Sequence, residues 1–342
     1  MTATPTRRRA LIPALLGGLL LSFATMGHAD DQALPDNDVR DVLKTLGQEL
    51  VKHYPFPDLS KRYAQALNDA AKSNRYHGLD HCDLAKKVTD DLRATHKDVH
   101  LHVFCDKSFR HTAAAANAGT SSKPLGIDAS IESVELDKNL ASAYIQSQGS
   151  WGQGKDNYEA VANAMGLAAH AKYVIIDIRN NPGGSGTIGR FFASYFYDVG
   201  NEQFYLNGFH KDRSDDEQEW TYDYVPGKRL PDAKLYILVN DHTASATEGF
   251  AYAMQRLHRA TIIGQTTAGA GIAGSIVDLG HGLSVFLPVK MVVAPRTQEG
   301  WEGVGVKPDV ITPIGEEKAT ALQLIKDDIA KQPTKDEPAP KS

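Results

Sequence analysis

Hydrophobic residues recur at helical spacing in the first third of the chain. Between residues 36 and 95, apolar side chains stand three or four positions apart among charged ones, as in amphipathic helices. The pattern predicts three helices: a segment ending at His53, a segment beginning at Asp58, and a segment from about Cys82 to Arg93. We therefore expect a small all-helical N-terminal domain over residues 30–105, with a strand at His100–Phe104 leaving it.

The second part of the chain alternates short apolar runs with helical segments. Helices are predicted at about Asn157–Ala171 and from Thr187 and Thr247. The apolar runs predict strands at Ile127–Leu136, Ala141–Gln146, Tyr173–Ile178, Leu235–Val239, Thr261–Ile263, Ile276–Leu279 and Leu283–Val293. Buried strands between helices indicate an α/β core with a covered sheet. We expect this core over residues 125–328, after a flexible linker at 106–124 and before a disordered tail at 329–342.

The first 29 residues have the pattern of a secretory signal peptide. Three arginines at positions 7–9 precede an apolar run that ends in Gly27-His28-Ala29, with small residues at the cleavage positions. Cleavage near Ala29 predicts a periplasmic or secreted protein with no stable membrane insertion afterwards. An uncleaved anchor is the alternative, but Pro13, Gly17 and Gly18 weaken a spanning helix.

Charge and cysteine content narrow the choice of partners. The net charge is −5, and loss of the three leader arginines takes it to −8. A mildly acidic protein is a poor candidate for binding nucleic acid or anionic membranes.

The chain has two cysteines, Cys82 and Cys105, and in an exported protein two cysteines most simply form one disulfide. The sequence leaves the oligomeric state open.

Ser245 is the candidate nucleophile. It follows the strand Leu235–Val239 and stands at the start of a helix, where free backbone N–H groups and the positive end of the helix dipole gather. A hydroxyl held there is suited to nucleophilic attack. The alternative is that Thr243 or Ser245 only caps the helix, with Glu248 completing a capping box.

A glycine turn supplies candidate oxyanion donors. Asn181-Pro-Gly-Gly184 follows a buried strand, and the N–H groups of Gly183 and Gly184, together with that of Ala246, are typical of an oxyanion hole. The alternative is an ordinary strand-to-helix turn that needs glycine conformations.

His100 and Glu302 are the candidates for a base and for the group that orients it. In a strand, Asp98, His100 and His102 would share one face. The His-x-His pair also allows a metal site as an alternative, but no third ligand stands at a familiar spacing, so we expect no metal. Glu302 has an alternative role as a turn carboxylate that binds neighbouring glycine amides.

Four segments together resemble the tail-specific (C-terminal processing) serine peptidases. They are Ile176-Asp-Ile-Arg-Asn-Asn-Pro-Gly-Gly184, Thr243-Ala-Ser-Ala-Thr-Glu248, Ile263-Gly-Gln-Thr-Thr-Ala-Gly269 and Glu302-Gly-Val-Gly-Val-Lys-Pro-Asp309. The helical segment 36–104 is similar to the N-terminal region of the subgroup related to interphotoreceptor retinoid-binding protein. The resemblance implies a ClpP/crotonase-like core of ββα units and a serine-type peptidase that acts on peptides or proteins without a cofactor.

The resemblance also implies which residues react. One large branch of the family pairs its serine with a lysine 25 residues downstream, where this chain has Ala270. The branch that resembles tricorn protease uses a histidine and a glutamate, which His100 and Glu302 match, so a Ser245–His100–Glu302 triad is implied. No PDZ-like segment fits between Cys105 and Leu125. Because retinoid-binding relatives keep the scaffold, a non-catalytic binder of apolar ligands or peptides is the alternative function.

Overall fold

The computed structural model describes residues 32–96, 98–105, 131–213 and 216–332. The predicted signal peptide, the linker at 106–124 and residues 333–342 of the predicted tail lie outside these residues. The first two residues of the tail predicted at 329–342 instead end a helix, Glu317–Ala330.

Three helices form the N-terminal region, as the hydrophobic spacing predicts. They are α1 (Asp36–His53), α2 (Pro57–Lys72) and α3 (His81–Thr95). Proline at the first position of α2 suits a helix start, because its missing N–H would have no helical partner there. Asp80 caps α3 by accepting hydrogen bonds from the backbone N–H groups of Cys82 and Asp83, both at 2.9 Å.

A six-stranded sheet forms the centre of the α/β core, in the order β11-β8-β7-β4-β3-β2. All neighbours in this sheet are parallel except β2 and β3, which are antiparallel. The strands are β2 (Ile131–Asp137), β3 (Ser142–Ser147), β4 (Tyr173–Asp177), β7 (Lys234–Val239), β8 (Ala260–Gly264) and β11 (Val310–Ile311). The fully apolar runs in β4 and β7 are buried, as expected for strands covered on both faces.

Helices cover this sheet on both sides. They are α4 (Lys155–Leu167), α5 (Gly186–Ser194), α6 (Ala246–Arg256) and α7 (Glu317–Ala330). One apolar cluster joins the first three of these helices to one face, with Trp151, Phe192 and Phe250 among its largest side chains. A smaller cluster holds α7 against the other face.

A second sheet links the N-terminal helices to the core. Its path is β1-β10-β5-β6, and β9 also pairs with β10. The strands are β1 (His102–Cys105), β5 (Phe204–His210), β6 (Glu217–Trp220), β9 (Ile272–Gly280) and β10 (Leu283–Val293). Side chains of β1, β9 and β10 share one apolar cluster with α1–α3. The helical region is therefore packed against the core through this sheet.

Two predictions about the segment before Cys105 have different outcomes. The predicted bond between Cys82 and Cys105 is present, with the two Cα atoms 5.0 Å apart, and it ties the start of α3 to the end of β1. The predicted strand begins two residues late, at His102, because Asp98 and His100 lie in a turn. The argument that strand alternation puts these two residues on one face with His102 is therefore wrong.

Within the described ranges, no helix is long and apolar enough to cross a membrane. The same residues contain no group of three or more His, Cys, Asp or Glu side chains that could hold a metal ion.

Candidate active site

The site lies where β4 and β7 end side by side. Ligands of open α/β sheets bind at the carboxyl ends of parallel strands, which is where the two predicted motifs stand. The turn after β4 is joined to the turn after β7 through Asn181, whose carbonyl accepts hydrogen bonds from the Ala244 N–H and the Thr247 hydroxyl, both at 3.0 Å. The turns therefore hold each other in register.

Gly183 packs directly on Ser245. A Cβ atom at Gly183 would lie 2.7 Å from the Ser245 Cβ and 2.7 Å from the Ala244 carbonyl oxygen, closer than real Cβ contacts. Gly183 also has φ +103°, a conformation that side chains other than glycine rarely adopt. Both features require glycine here, so the glycine turn and the serine turn form one site.

Ser245 has an unusual backbone conformation. Its φ is +56° and its ψ is −120°, outside the extended region that ordinary N-cap residues occupy. Strained backbone in a non-glycine residue is concentrated at functional sites. Ser245 immediately precedes α6, so the N–H of Ala246 is in the first turn, where helical N–H groups have no helical partner. The capping alternative does not account for the positive φ.

Glu248 holds the serine turn to the loop that follows β8. Its fully buried carboxylate accepts four hydrogen bonds, from the Ser245 N–H at 2.7 Å, the Thr267 hydroxyl at 2.5 Å, the Gly269 N–H at 2.7 Å and the Ala270 N–H at 2.8 Å. Burial raises the pKa of Glu248, and the four donors oppose that rise. The spacing of Ser245 and Glu248 indicates a capping box, but the contacts with the loop have no signal in the sequence.

The candidate oxyanion donors differ from one another. The Gly183 N–H donates to the Asn181 side-chain oxygen at 3.0 Å, so it is already engaged. Gly184 forms a parallel bridge with Trp151 and, together with Ala246, lines a cavity beside Ser245.

The backbone of His100 is held by the buried carboxylate of Asp98. Asp98 is fully buried and accepts hydrogen bonds from the N–H groups of His100 (2.8 Å) and Leu101 (3.2 Å) and from the Tyr54 hydroxyl (2.9 Å). The imidazole stacks on Phe286 with 5.8 Å between ring centroids. Its Nδ1 is buried without a hydrogen-bond partner in the described structure. Burial lowers the pKa of His100, although the negative charge of Asp98 opposes this shift. The lowered pKa favours the neutral ring that a general base needs.

Glu302 is bonded to the loop after β8 and feels the charge of Asp98, the carboxylate beside His100. Its Oε2 accepts a hydrogen bond from the Gly271 N–H at 2.6 Å, the glycine amide contact expected of a turn carboxylate. Burial raises its pKa to about 7, and the negative charges of Asp98 and Glu248 add to this rise. The carboxylate is thus close enough to interact with the groups that hold both His100 and Ser245.

The three predicted residues are not hydrogen-bonded to one another. Among the described residues, no hydrogen bond joins the side chains of Ser245, His100 and Glu302. Catalytic hydrogen bonds are often long before substrate binds and tighten in the complex.

A cavity of about 310 Å³ opens beside Ser245. The glycine turn, the start of α6 and residues 270–273 line it, together with residues of strands β5, β6 and β10. Sequence reasoning did not find these strand residues, because β10 meets β5 and β6 from a distant part of the chain.

Comparison with protein families agrees with this geometry. The family model described as Peptidase family S41 matches residues 141–312, about half of the chain. The chain belongs to peptidase family S41. A second model, the N-terminal domain of Peptidase S41 in eukaryotic IRBP, matches residues 35–148. The predicted family and its retinoid-binding-protein subgroup are therefore confirmed.

Relatives and solved structures extend the comparison. The chain is 33% identical over 159 residues to a "Probable CtpA-like serine protease" of Staphylococcus epidermidis, a match covering 46% of this chain and 30% of the relative. The chain thus spans about a third of the length of such relatives. A lipoprotein from Streptococcus agalactiae superposes with a TM-score of 0.59 at 15% identity over 86% of this chain and 98% of that one.

The photosystem II D1 C-terminal processing protease superposes with a TM-score of 0.54 at 14% identity, over 80% of this chain and 93% of that one. At such identities the likeness concerns the fold alone. It confirms the predicted α/β core of the ClpP/crotonase type behind an N-terminal helical region.

Proposed function

We propose that this protein is a serine peptidase that hydrolyses peptide or protein substrates through an acyl-enzyme. The observation that carries the proposal is the packing of Gly183 on Ser245, with Ser245 at positive φ before a helix. A strained serine beside glycine amides has the parts that acyl transfer needs. Family membership supports the same reading.

The reaction begins when the Ser245 hydroxyl attacks the carbonyl carbon of the scissile peptide bond. His100 takes the hydroxyl proton and then gives it to the nitrogen of the leaving amine, so that the peptide C–N bond breaks and a serine ester forms. Water then attacks the ester, with His100 again accepting and returning one proton. Glu302 in its ionised form stabilises the imidazolium and orients the ring.

Two backbone N–H groups stabilise the negative charge that develops on the carbonyl oxygen. Ala246, in the first turn of α6, supplies one of them, and the helix dipole adds to its effect. Of the two glycines, Gly184 is the better second donor, because the Gly183 N–H is engaged by Asn181. Gly183 instead provides the close approach between the two turns.

The base is a histidine rather than a lysine. The position at which the large branch of the family carries its lysine is Ala270, which is buried and whose N–H donates to Glu248. The partly buried imidazole of His100, with a lowered pKa, is suited to accept a proton at neutral pH.

We also propose that the protein is exported and acts in the periplasm or outside the cell. The leader pattern at residues 1–29 supports export. The disulfide between α3 and β1 supports an oxidising compartment.

A non-catalytic binder on the same scaffold is the second candidate. It is favoured by the lack of a hydrogen bond from Ser245 to His100 and by the cavity beside Ser245. A binder, however, has no need for a serine at positive φ.

Digestion of a peptide library by the protein, read by mass spectrometry, tests the proposal. We expect cleavage by the wild type and none by Ser245→Ala. A folded wild-type protein that cleaves nothing, yet binds peptides, would support the binder instead.

A further inference from the structure

The cavity beside Ser245 has a charged wall that the proposed mechanism does not use. Glu217 and Glu219 stand two positions apart on β6, so they lie on the same face of that strand. Lys290 reaches the same place from β10. Three ionisable side chains thus line a cavity that is also lined by the half-buried nucleophile, Ser245.

The two carboxylates are not equally neutralised. The Lys290 ammonium donates to Glu217 at 2.7 Å, and His210 lies 3.4 Å from the same carboxylate. The Glu219 carboxylate is 4.0 Å from the same ammonium, the cation closest to it among the described residues. With histidine neutral, the wall carries one net negative charge, centred on Glu219.

Lys290 is fixed in this arrangement. Its side chain is 16% exposed and lies flat across Gly208, where an added Cβ would meet the lysine Cδ at 2.6 Å. The hydrogen bond with Lys290 is the main reason why the pKa of Glu217 is lowered. The ammonium is therefore committed to Glu217 and is not available to bind an anionic group of a substrate.

Apolar side chains line the same cavity. They are Leu206, Ile272, Val292 and Trp301. A side chain that fits both parts has an apolar stem and a cationic head, as lysine and arginine have.

We propose that this cavity is the subsite for a lysine or arginine side chain of the substrate, next to the bond that Ser245 attacks. The stem packs on Leu206 and Trp301, and the cationic head pairs with Glu219. The inference rests on the proposed function for the position of the cleaved bond. The rival is recognition of a substrate carboxylate by Lys290.

Kinetics with matched peptides test the pairing. Two sets of hexapeptides carry either arginine or its neutral isostere citrulline at one position in turn, with alanine at all others. They are assayed at about pH 8, where histidine is largely neutral. At the best position, we expect kcat/KM to be about five- to tenfold higher for arginine, the size of a partly buried ion pair. Glu219→Gln should remove this preference, whereas Glu132→Gln, an exposed charge on β2 of the other sheet, should keep it.

Lys290→Met separates the proposal from its rival. Removal of the ammonium leaves both carboxylates free for the substrate, so the preference for arginine should rise. If Lys290 binds a substrate carboxylate, the same variant should instead lose activity on peptides with glutamate or a free C-terminus. Equal kcat/KM for arginine and citrulline at every position would overturn the proposal.

Binding to the Ser245→Ala variant keeps the inference testable if no peptide is cleaved. Fluorescence anisotropy of labelled hexapeptides should show about five- to tenfold tighter binding of the arginine peptide than of the citrulline peptide, lost on adding Glu219→Gln. Cleavage without this difference overturns the subsite alone. The difference without any cleavage by the wild type overturns the proposed function and leaves the subsite standing.

Discussion

Substitution of Gly183 by alanine perturbs the site where its two turns pack together. The new methyl group would stand 2.7 Å from both the Ala244 carbonyl oxygen and the Ser245 Cβ. Backbone and a short side chain surround it, so no flexible group can turn away. The turn after β4 and the start of α6 must therefore separate.

The size of the effect follows from that separation. Normal carbon contacts are about 3.5–4.0 Å, so the two turns must move apart by about 1 Å. A misplacement of about 1 Å in a catalytic group costs on the order of 100-fold in rate. The positive φ of Gly183 adds about 1–2 kcal/mol of destabilisation for a residue with a Cβ.

Peptidase kinetics and thermal melts measure both effects. We expect Gly183→Ala to lower kcat by about 100-fold and Tm by about 2–8 °C. Gly166→Ala, in α4 and away from the cavity, is the matched control, because its Cβ would meet no atom within 4 Å and its φ is not positive. A folded Gly183→Ala variant with kcat within about threefold of wild type would refute the claim that this contact positions the nucleophile.

Three further outcomes are expected. His100→Ala should lower kcat by about 100- to 10,000-fold, whereas His102→Ala, altered at the start of β1, should change it only slightly; the reverse result would make His102 the base. Because the pKa of Glu302 is raised from 4.5 to about 7, kcat/KM should rise with pH with a midpoint near 7 as the carboxylate ionises. The folded state keeps that proton while the unfolded chain releases it, so the free energy of unfolding should fall as the pH rises from 4.5 to 7. Thermal melts of Glu302→Gln should lack this fall. The same dependence of stability on pH in the variant would contradict the assignment. The disulfide joins cysteines 23 residues apart, so its reduction should lower the free energy of unfolding by about 3 kcal/mol and should also lower kcat. An unchanged Tm and kcat would argue against a role of the disulfide in positioning His100.

Local patterns predict most of the fold. Continuous apolar runs identify β4 and β7 because strands covered on both faces have no polar alternation. Apolar residues three or four positions apart and a proline break identify α1–α3, because each helix buries one face. The division into two sheets is not predictable in this way, because it depends on pairings such as β1 with β10 that join distant segments.

The site is predictable only where its parts are local in sequence. The Ser245–Ala246 turn and the capping glutamate Glu248 follow from short spacings. The turn that holds His100 does not follow from short spacings, because its Asp98 accepts a hydrogen bond from Tyr54, 44 residues away. A buried hydrogen bond of this range overrides the period-two pattern that favours a strand. The charged wall of the cavity has no local signal either, since it needs β6 and β10 together.

Labelling with a fluorophosphonate probe tests the central claim most directly, since the probe reacts covalently with an activated serine. Mass spectrometry of the folded protein at about pH 8, where His100 is neutral, should find one adduct, on Ser245. Ser245→Ala should give none, and His100→Ala should label far more slowly. A wild-type protein that stays unlabelled, or a Ser245→Ala variant labelled as fast as wild type, would contradict the account.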